Sequence, residues 1–109
     1  MTAFFIAEVA VTDPSWIPEY AGIVHDIAAK HGGKYLTRSG AIDTLEGPDN
    51  EDTVIAIIQF PDKASALAFA NDPDYAPYKK AREDGANSRI RLIDDSDLAG
   101  GIPYLPAGG

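Results

Sequence analysis

The chain has 109 residues, enough for one domain with one hydrophobic core. It contains no cysteine, which excludes disulfides, thiolate nucleophiles and cysteine-bound zinc or iron–sulfur clusters. A formal net charge of −8 would repel phosphate backbones and anionic lipid, so neither nucleic acid nor a membrane is expected as a partner. No apolar run approaches the length of a membrane span and the N-terminus lacks a basic signal segment, so a cytoplasmic location is expected.

The first half of the chain is predicted to form a strand, a helix and a second strand. Residues Ala3 to Thr12 are rich in β-branched and aromatic types, as strands are. Apolar residues then recur at helical spacing up to Gly32-Gly33, which suits a helix C-terminus, and capping by Ser15 would leave Pro18 harmlessly in the first turn. Lys34 to Glu46 is predicted as the second strand, with a kink or bulge at Gly40.

The second half begins with an acidic, turn-rich loop and continues with a strand, two helices and a last strand. Thr53 to Phe60 is predicted as the third strand. A second helix opens at Pro61-Asp62 and ends before Asn71-Asp72-Pro73-Asp74. A short third helix carries Tyr75, Tyr78 and Arg82 on one face, and Ser88 to Asp94 forms the last strand.

The predicted order βαββαβ defines an α+β fold of the ferredoxin-like class. In this layout a four-stranded antiparallel sheet carries its helices on one face. We predict one domain over residues 1–94, followed by a Gly- and Pro-rich tail over residues 95–109 in which Ile102, Tyr104 and Leu105 are embedded.

The third strand indicates that both faces of the sheet are apolar. Val54, Ala56 and Ile58 point one way, while Ile55 and Ile57 point the other. Because the helices cover one face only, the other face would be an exposed apolar patch. A second copy of the same sheet would cover it, which predicts a homodimer. The alternative is a monomer whose own tail folds over the sheet.

Several short motifs together resemble a known family. The resemblance runs from Ala3 to Asp94 and leaves the tail outside. Its motifs are Asp13-Pro14, Tyr20, Lys30-His31-Gly32-Gly33-Lys34-Tyr35-Leu36, Arg38, Leu45-Glu46-Gly47, Phe60-Pro61 and the helix with Tyr75, Tyr78 and Arg82. In order and spacing they resemble the domain-of-unknown-function family 1330, within the dimeric α/β barrel superfamily.

The resemblance implies a ferredoxin-like fold that dimerises through its sheets, with no assigned reaction. Related members of the superfamily include cofactor-independent monooxygenases, haem-degrading enzymes, lactone isomerases and polyketide cyclases. Small-molecule chemistry in a pocket is therefore expected by analogy. Family-like sequences often have Arg-Gly-Gly where this chain has Arg38-Ser39-Gly40, and the added hydroxyl would alter the pocket.

Three residues are candidates for catalysis. His31 lies in the last turn of the first helix, on its apolar stripe, and would move a proton, unless it only bonds a nearby backbone carbonyl. Arg38 would hold a carboxylate or enolate oxygen in a bidentate fork, or else pair with an acidic side chain across the sheet. Glu8 shares strand parity with apolar residues and would be a less favoured base, with an Arg pair as the alternative.

Four further residues are predicted to bind substrate. Tyr20, Tyr75, Tyr78 and Arg82 would line a cavity between helices and sheet, where phenols donate to a developing oxyanion. The alternative is that these aromatic residues are ordinary core. His25 is displaced from the apolar stripe and is expected to face solvent.

The leading hypothesis is a small-molecule site that needs no cofactor. The chain lacks the phosphate-binding, zincin and serine-hydrolase motifs, and its acids and histidines do not form a metal-ligand set. We expect one mostly apolar pocket per subunit for an organic acid or a ring-bearing metabolite, with cofactor-free isomerisation, cyclisation or oxygenation as the chemistry. The competing hypothesis is a non-catalytic binding or interaction module, which predicts no enclosed pocket.

Overall fold

The computed structural model describes residues 1–49 and 51–101. Four strands form one antiparallel sheet in the order β2-β3-β1-β4, namely β1 (Ala3–Val11), β2 (Lys34–Ser39), β3 (Val54–Phe60) and β4 (Ala86–Asp94). Helix α1 (Ile17–Lys30) joins β1 to β2, while α2 (Lys63–Ala70) and α3 (Ala76–Gly85) join β3 to β4. The fold is α+β and ferredoxin-like, as predicted.

Both ends of helix α1 are marked by residues that favour a helix terminus. A 3₁₀ turn, Pro14–Trp16, leads into the helix and is capped by the Asp13 side chain, which accepts from the Ser15 amide. Pro18 lies in the first turn of α1, as predicted, where no hydrogen bond is lost, but the predicted cap was wrong: the N-cap residue is Trp16, without a side-chain hydrogen bond, and not Ser15. At the other end Gly32 has φ of 80°, and a Cβ there would meet the Pro61 ring at 2.9 Å.

The core lies between one face of the sheet and the helices. Alternate residues of β1 face it, and each has its partner in β3 on the same side, for example Phe5 opposite Ile58. Phe69 of α2 is fully buried there and makes edge contacts with the Phe5 ring at 5.5 Å. We call this side the helix-facing side.

On the opposite side of the sheet, which we call the open face, no helix is found among residues 1–49 and 51–101. The open face presents alternate residues of the same strands, including Phe4, Ile6, Ile55, Ile57 and Ile93. The predicted apolar character of both sheet faces is thus confirmed. Within the described residues no helix is long and apolar enough to cross a membrane.

The predicted course of the second strand was wrong. The strand ends at Ser39, and its bulge lies between Tyr35 and Thr37 rather than at Gly40. An antiparallel continuation would place Asp43 opposite Glu51, two like charges, and Glu51 has a positive φ of 57°. These two features disfavour pairing in the distal part of the predicted strand, beyond the last observed pair of Ser39 with Ile55.

The other observed strand and helix boundaries differ less from the predicted ones. The last strand begins at Ala86, two residues before the predicted start. The Gly85 carbonyl accepts from the amides of Thr12 and Asp13, and these hydrogen bonds hold this end of the strand beside the end of β1. The predicted division at residue 94 stays a prediction, and Ile102, Tyr104 and Leu105 of the tail lie outside the described residues.

Candidate functional site

A cavity of about 280 Å³ lies between the helix-facing side of the sheet and helix α1. Its walls are largely apolar because alternate residues of β1 and β3 face inward here. The exposed residues Ala21, Arg38 and Thr53 mark its open side. The rest of the lining is formed by Phe5, Ala7, Val9, Val11, Trp16, Ile17, Tyr20, Tyr35, Val54, Ala56, Ile58, Phe69 and Arg82.

A polar cluster closes one part of this cavity, and we call it the tyrosine–arginine cluster (Tyr20, Tyr75 and Arg82). The hydroxyls of Tyr20 and Tyr75 lie 2.9 Å apart. Arg82 donates from Nη2 to the Tyr75 hydroxyl over 3.5 Å. Tyr75 is buried behind Tyr20 and stacks on Phe69 at 4.7 Å, so the cavity wall itself is formed by Tyr20 and Arg82.

The direction of the hydrogen bonds in this cluster follows from burial. A guanidinium only donates, so Tyr75 accepts from Arg82. Tyr75 is 1% exposed, and its own proton is satisfied if it donates to Tyr20. The Tyr20 proton then remains for an acceptor in the cavity. Burial, followed by the neighbouring Tyr75, raises the pKa of Tyr20 far above its usual value, so Tyr20 is a neutral donor and not a base.

Because of the bulge in β2, Arg38 lies on the helix-facing side of the sheet, where the cavity is. Residues three apart in a regular strand face opposite sides, but here Tyr35 pairs with Ile58 and Arg38 with Ala56, both on the helix-facing side. The Arg38 guanidinium carbon lies 4.0 Å from the centre of the Tyr35 ring. Burial raises the pKa of Tyr35, although the Arg38 charge offsets part of that rise.

Arg38 is held by aromatic neighbours rather than by a carboxylate. Its Nη2 lies 3.2 Å from Nδ1 of His25, which stacks on Tyr35 at 5.3 Å. The alternative that we considered, a salt bridge to an acidic residue across the sheet, is absent among the described residues. His25 is exposed, as expected, yet it takes part in positioning Arg38.

Trp16 forms a further wall. Its indole Nε1 donates to the Gly85 carbonyl over 3.2 Å, and its ring meets Tyr20 edge to face at 5.0 Å. Gly85 is required at this position, because a Cβ would overlap the Trp16 ring and lie 2.9 Å from the Asp13 carbonyl oxygen. The sequence marked Trp16 as apolar but gave no sign of this contact.

His31 lies outside the cavity, in a separate ionic cluster (Lys30, His31 and Asp72). Its Nε2 is 2.7 Å from the Asp72 carboxylate, which also accepts from Lys30 Nζ over 2.8 Å. The Asp74 amide donates to the same carboxylate over 2.8 Å. Hydrogen bonds from Lys30, then His31, then this amide hold the pKa of Asp72 well below its usual range. The alternative considered for His31 was a hydrogen bond to a backbone carbonyl. In the structure its partner is the Asp72 carboxylate.

Glu8 and Tyr78 also lie off the cavity wall. Glu8 is on the open face and accepts from Arg91 Nη2 over 3.1 Å, one of the arginine pairs considered as its alternative. Tyr78 is partly buried against the core. The cavity therefore brings together Arg38, Tyr20 and Arg82 but does not include His31 or Glu8. The catalytic roles of His31, Arg38 and Glu8 stay predictions.

Within residues 1–49 and 51–101, no three His, Asp or Glu side chains are grouped closely enough to hold a metal ion. The polar groups of the cavity lining are phenols, an indole, a hydroxyl and two guanidinium groups. The guanidinium groups only donate, the phenols and the hydroxyl both donate and accept, and the indole N–H is already bonded to the Gly85 carbonyl. Such an arrangement suits a ligand that is apolar over most of its surface and carries hydrogen-bond acceptors at one end.

The chain belongs to the family described as domain of unknown function (DUF1330), whose model matches residues 2–96. The resemblance found in the sequence is thereby confirmed. Among curated proteins, no significant match is found.

Solved structures with the same fold include a protein of unknown function from Rhodopseudomonas palustris, RPA0582, with a TM-score of 0.73 and 18% identity, covering 88% of this chain and 83% of that chain. A dimeric ferredoxin-like protein of unknown function from Jannaschia sp. CCS1 has a TM-score of 0.71 at 13% identity, with 86% and 99% covered. SnoaB, a cofactor-independent oxygenase from Streptomyces nogalater, has a TM-score of 0.62 at 14% identity, with 88% and 94% covered. At these identities the likeness establishes the fold.

Proposed function

We propose that this protein binds a small ring-bearing organic molecule in the cavity beside Tyr20. The observation that carries the proposal is an apolar space of about 280 Å³ that ends in the tyrosine–arginine cluster. Ligand sites are typically apolar concavities with a few fixed polar groups, and they start at roughly 300 Å³. This cavity therefore suits a ligand with one or two rings. The competing interaction module predicted no enclosed pocket, so it has less support.

Binding is tested by filling the cavity. Ala56 lines it from β3, so Ala56→Phe would place a ring in the ligand's space. One- and two-ring carboxylates and amides, including 1-naphthoate and 1-naphthamide, are screened by thermal shift and ligand-observed NMR. We expect at least one compound to stabilise the wild type and none to stabilise Ala56→Phe. Ala68→Phe, on an exposed position of α2, is the matched control and retains binding.

Two results would contradict this proposal. The first is a screen in which no compound binds the wild type. The second is equal stabilisation of the wild type and a folded Ala56→Phe variant, which would place the compounds elsewhere on the surface.

A second candidate function is cofactor-free proton transfer on the bound molecule. It is favoured by the proximity of two donors: Tyr20 and Arg82 both line the cavity, and both are hydrogen-bonded to the Tyr75 hydroxyl. Donors fixed in advance stabilise an oxyanion that develops during reaction. The likeness to a cofactor-independent oxygenase agrees with this chemistry. The proton from carbon would pass to water or buffer entering by the open side, and the enolate oxygen would accept from Tyr20.

This candidate is tested with 2-tetralone, a two-ring ketone, in deuterated buffer. Deuterium incorporation at the carbon next to the carbonyl is followed by NMR. We expect the wild type to accelerate exchange about tenfold or more over buffer, by the usual effect of an oxyanion donor. The Ala56→Phe variant should exchange at the buffer rate. Exchange at the buffer rate with the wild type as well would restrict the protein to binding.

We propose that the functional unit is a homodimer in which the open face packs on the open face of a second copy. Phe4, Ile6, Ile55 and Ile57 lie side by side there across β1 and β3. An apolar patch across two adjacent strands is unusual on a monomer surface. The Jannaschia protein with this fold is described as dimeric, which supports the same arrangement here.

The dimer is tested by light scattering after size exclusion. Ile57→Lys places a charge at the centre of the open face, and we expect a folded monomer from it and a dimer from the wild type. Leu67→Lys, at an exposed position of α2, is the control and stays dimeric. A monomeric wild type, or a dimeric Ile57→Lys variant, would contradict this interface.

A further inference from the structure

Arg82 combines burial with a shortage of partners. It follows Tyr75 by seven residues, two helical turns, and so lies on the same inward face of α3. Only 4% of its surface is exposed. A buried arginine normally has a carboxylate beside it, because an uncompensated charge away from water is costly.

In the part of the chain that the structure describes, Arg82 has no such partner. Among the described residues its Nε has no hydrogen bond, and its side chain is bonded only to phenol hydroxyls, to Tyr75 over 3.5 Å from Nη2 and more weakly to Tyr20. A guanidinium has five N–H donors. The described salt bridges use Asp72, Asp74, Asp84, Glu8 and Asp94 with other cations, and none of them involves Arg82. The charge therefore lies beside the cavity unmatched.

We infer that the cavity is a site for a ring-bearing organic carboxylate whose charged group is bound by Arg82. The inference rests on the proposed binding function and adds its chemical class. The carboxylate would accept from the Arg82 guanidinium and from the Tyr20 hydroxyl, while the ring would lie against the apolar walls formed by β1 and β3. Such a ligand supplies the counter-charge that the protein lacks.

Arg38 is less suited to this role, although it lines the same cavity. It is exposed at the open side, already contacts the Tyr35 ring at 4.0 Å and has His25 Nδ1 as an acceptor at 3.2 Å. A charge in water is screened and gains less from an ion pair. Arg82, by contrast, is removed from water and gains more from the same partner.

The test compares acids with their neutral isosteres. Benzoate, cinnamate and 1-naphthoate are each measured against the corresponding primary amide at pH 7, by calorimetry, with the full-length wild type, Arg82→Met and Arg38→Met. Lys80→Met removes a cation from an exposed position of the same helix and is the matched control. We expect the wild type and Lys80→Met to bind at least one acid ten or more times more tightly than its amide. In Arg82→Met we expect this preference to fall to threefold or less while the amide still binds.

The outcomes separate the two proposals. If acids and amides bind the wild type equally, or if the preference persists in Arg82→Met and disappears in Arg38→Met, the inference is wrong while the binding function stands. If no compound binds, both are wrong.

A second measurement distinguishes a ligand-binding arginine from a structural one. Methionine keeps the packing of the Arg82 stem and removes an unmatched buried charge. The unliganded Arg82→Met variant should therefore unfold at a temperature equal to or above that of the wild type. A clearly lower unfolding temperature would show that Arg82 mainly holds α3 in place, and would overturn the inference.

Discussion

The two polar clusters of this protein are built from the same elements and differ in how far their charges are satisfied. Each takes a residue from α1 or its end and another from the chain beyond α2, and Phe69 contacts both, with its ring 6.5 Å from His31 and 4.7 Å from Tyr75. In the ionic cluster, Asp72 accepts from Lys30, His31 and the Asp74 amide. In the tyrosine–arginine cluster, the buried guanidinium is bonded only to phenol hydroxyls, that of Tyr75 over 3.5 Å, and has no carboxylate partner among the described residues.

This difference in charge pairing indicates different roles for the ionic cluster and the tyrosine–arginine cluster. A buried charge whose partners are complete stabilises the folded chain and offers a ligand nothing new. A buried charge without its counter-ion destabilises the folded chain until something binds, and such groups occur mainly at functional sites. For this reason we propose a functional role for Arg82 and a structural role for Asp72, although the sequence analysis favoured His31 as the group that would move a proton.

The largest effect is expected where the two clusters meet. Phe69→Ala removes a fully buried ring shared by both, and we expect it to lower the free energy of unfolding by about 3–5 kcal/mol. Leu67→Ala, half exposed on the same helix, should cost about 0.5 kcal/mol. Urea denaturation measures both. Similar losses in the two variants would mean that Phe69 is not the common wall described here.

The next effect belongs to the ionic cluster and depends on pH. Because the folded pKa of Asp72 is lowered by Lys30 first and then His31, the carboxylate stabilises the fold above about pH 4, where an unfolded aspartate is ionised. This stabilisation is lost as the pH falls from about 4 through the lowered folded value. We expect Asp72→Asn to reduce the unfolding midpoint by roughly 5–10 °C at pH 6.

The same variant should converge with the wild type in acid. Thermal unfolding between pH 2 and 7 follows the difference between the two midpoints, which should shrink below about pH 4. Asp84→Asn, which removes an exposed partner of Lys80, should show a small difference at every pH. A constant gap between Asp72→Asn and the wild type would assign its effect to packing instead of charge.

The smallest effect on stability is expected in the tyrosine–arginine cluster. Tyr20→Phe leaves Tyr75 with its Arg82 donor but removes the acceptor of the buried Tyr75 proton, and the unfolding free energy should fall by about 1 kcal/mol. Binding should suffer more, because the variant loses the donor that faces the cavity. We expect affinity for a bound carboxylate to fall about three- to tenfold. Unchanged affinity would remove Tyr20 from the site.

Much of the fold was predictable because it depends on local pattern. Alternation with period two set the faces of β1 and β3, and helical periodicity with Gly32-Gly33 set α1. The short β2 was predicted less well. Its length depends on which residues lie opposite it in β3, and the bulge near Leu36 leaves no mark in the sequence. A strand boundary of that kind is decided by pairing.

The candidate site was predicted in part. Tyr20, Tyr75 and Arg82 were recognisable from aromatic residues and a cation at helical spacing, and Arg38 from the family resemblance. The sequence could not show that His31 lies outside the cavity. Helical spacing shows which face of a helix a residue occupies, but it does not show which residue of another element contacts it. Asp72 drew no attention because it lies in what reads as a helix-breaking turn.

The sequence by itself determined that this chain forms one α+β sheet-and-helix layer with two apolar sheet faces, because side-chain alternation and helical periodicity are properties of the backbone. Only the tertiary structure decided which charges are matched. That depends on distances between residues more than forty positions apart, such as His31 and Asp72 at 2.7 Å. The absence of a carboxylate beside Arg82, among the described residues, likewise depends on which side chains the fold brings around the cavity.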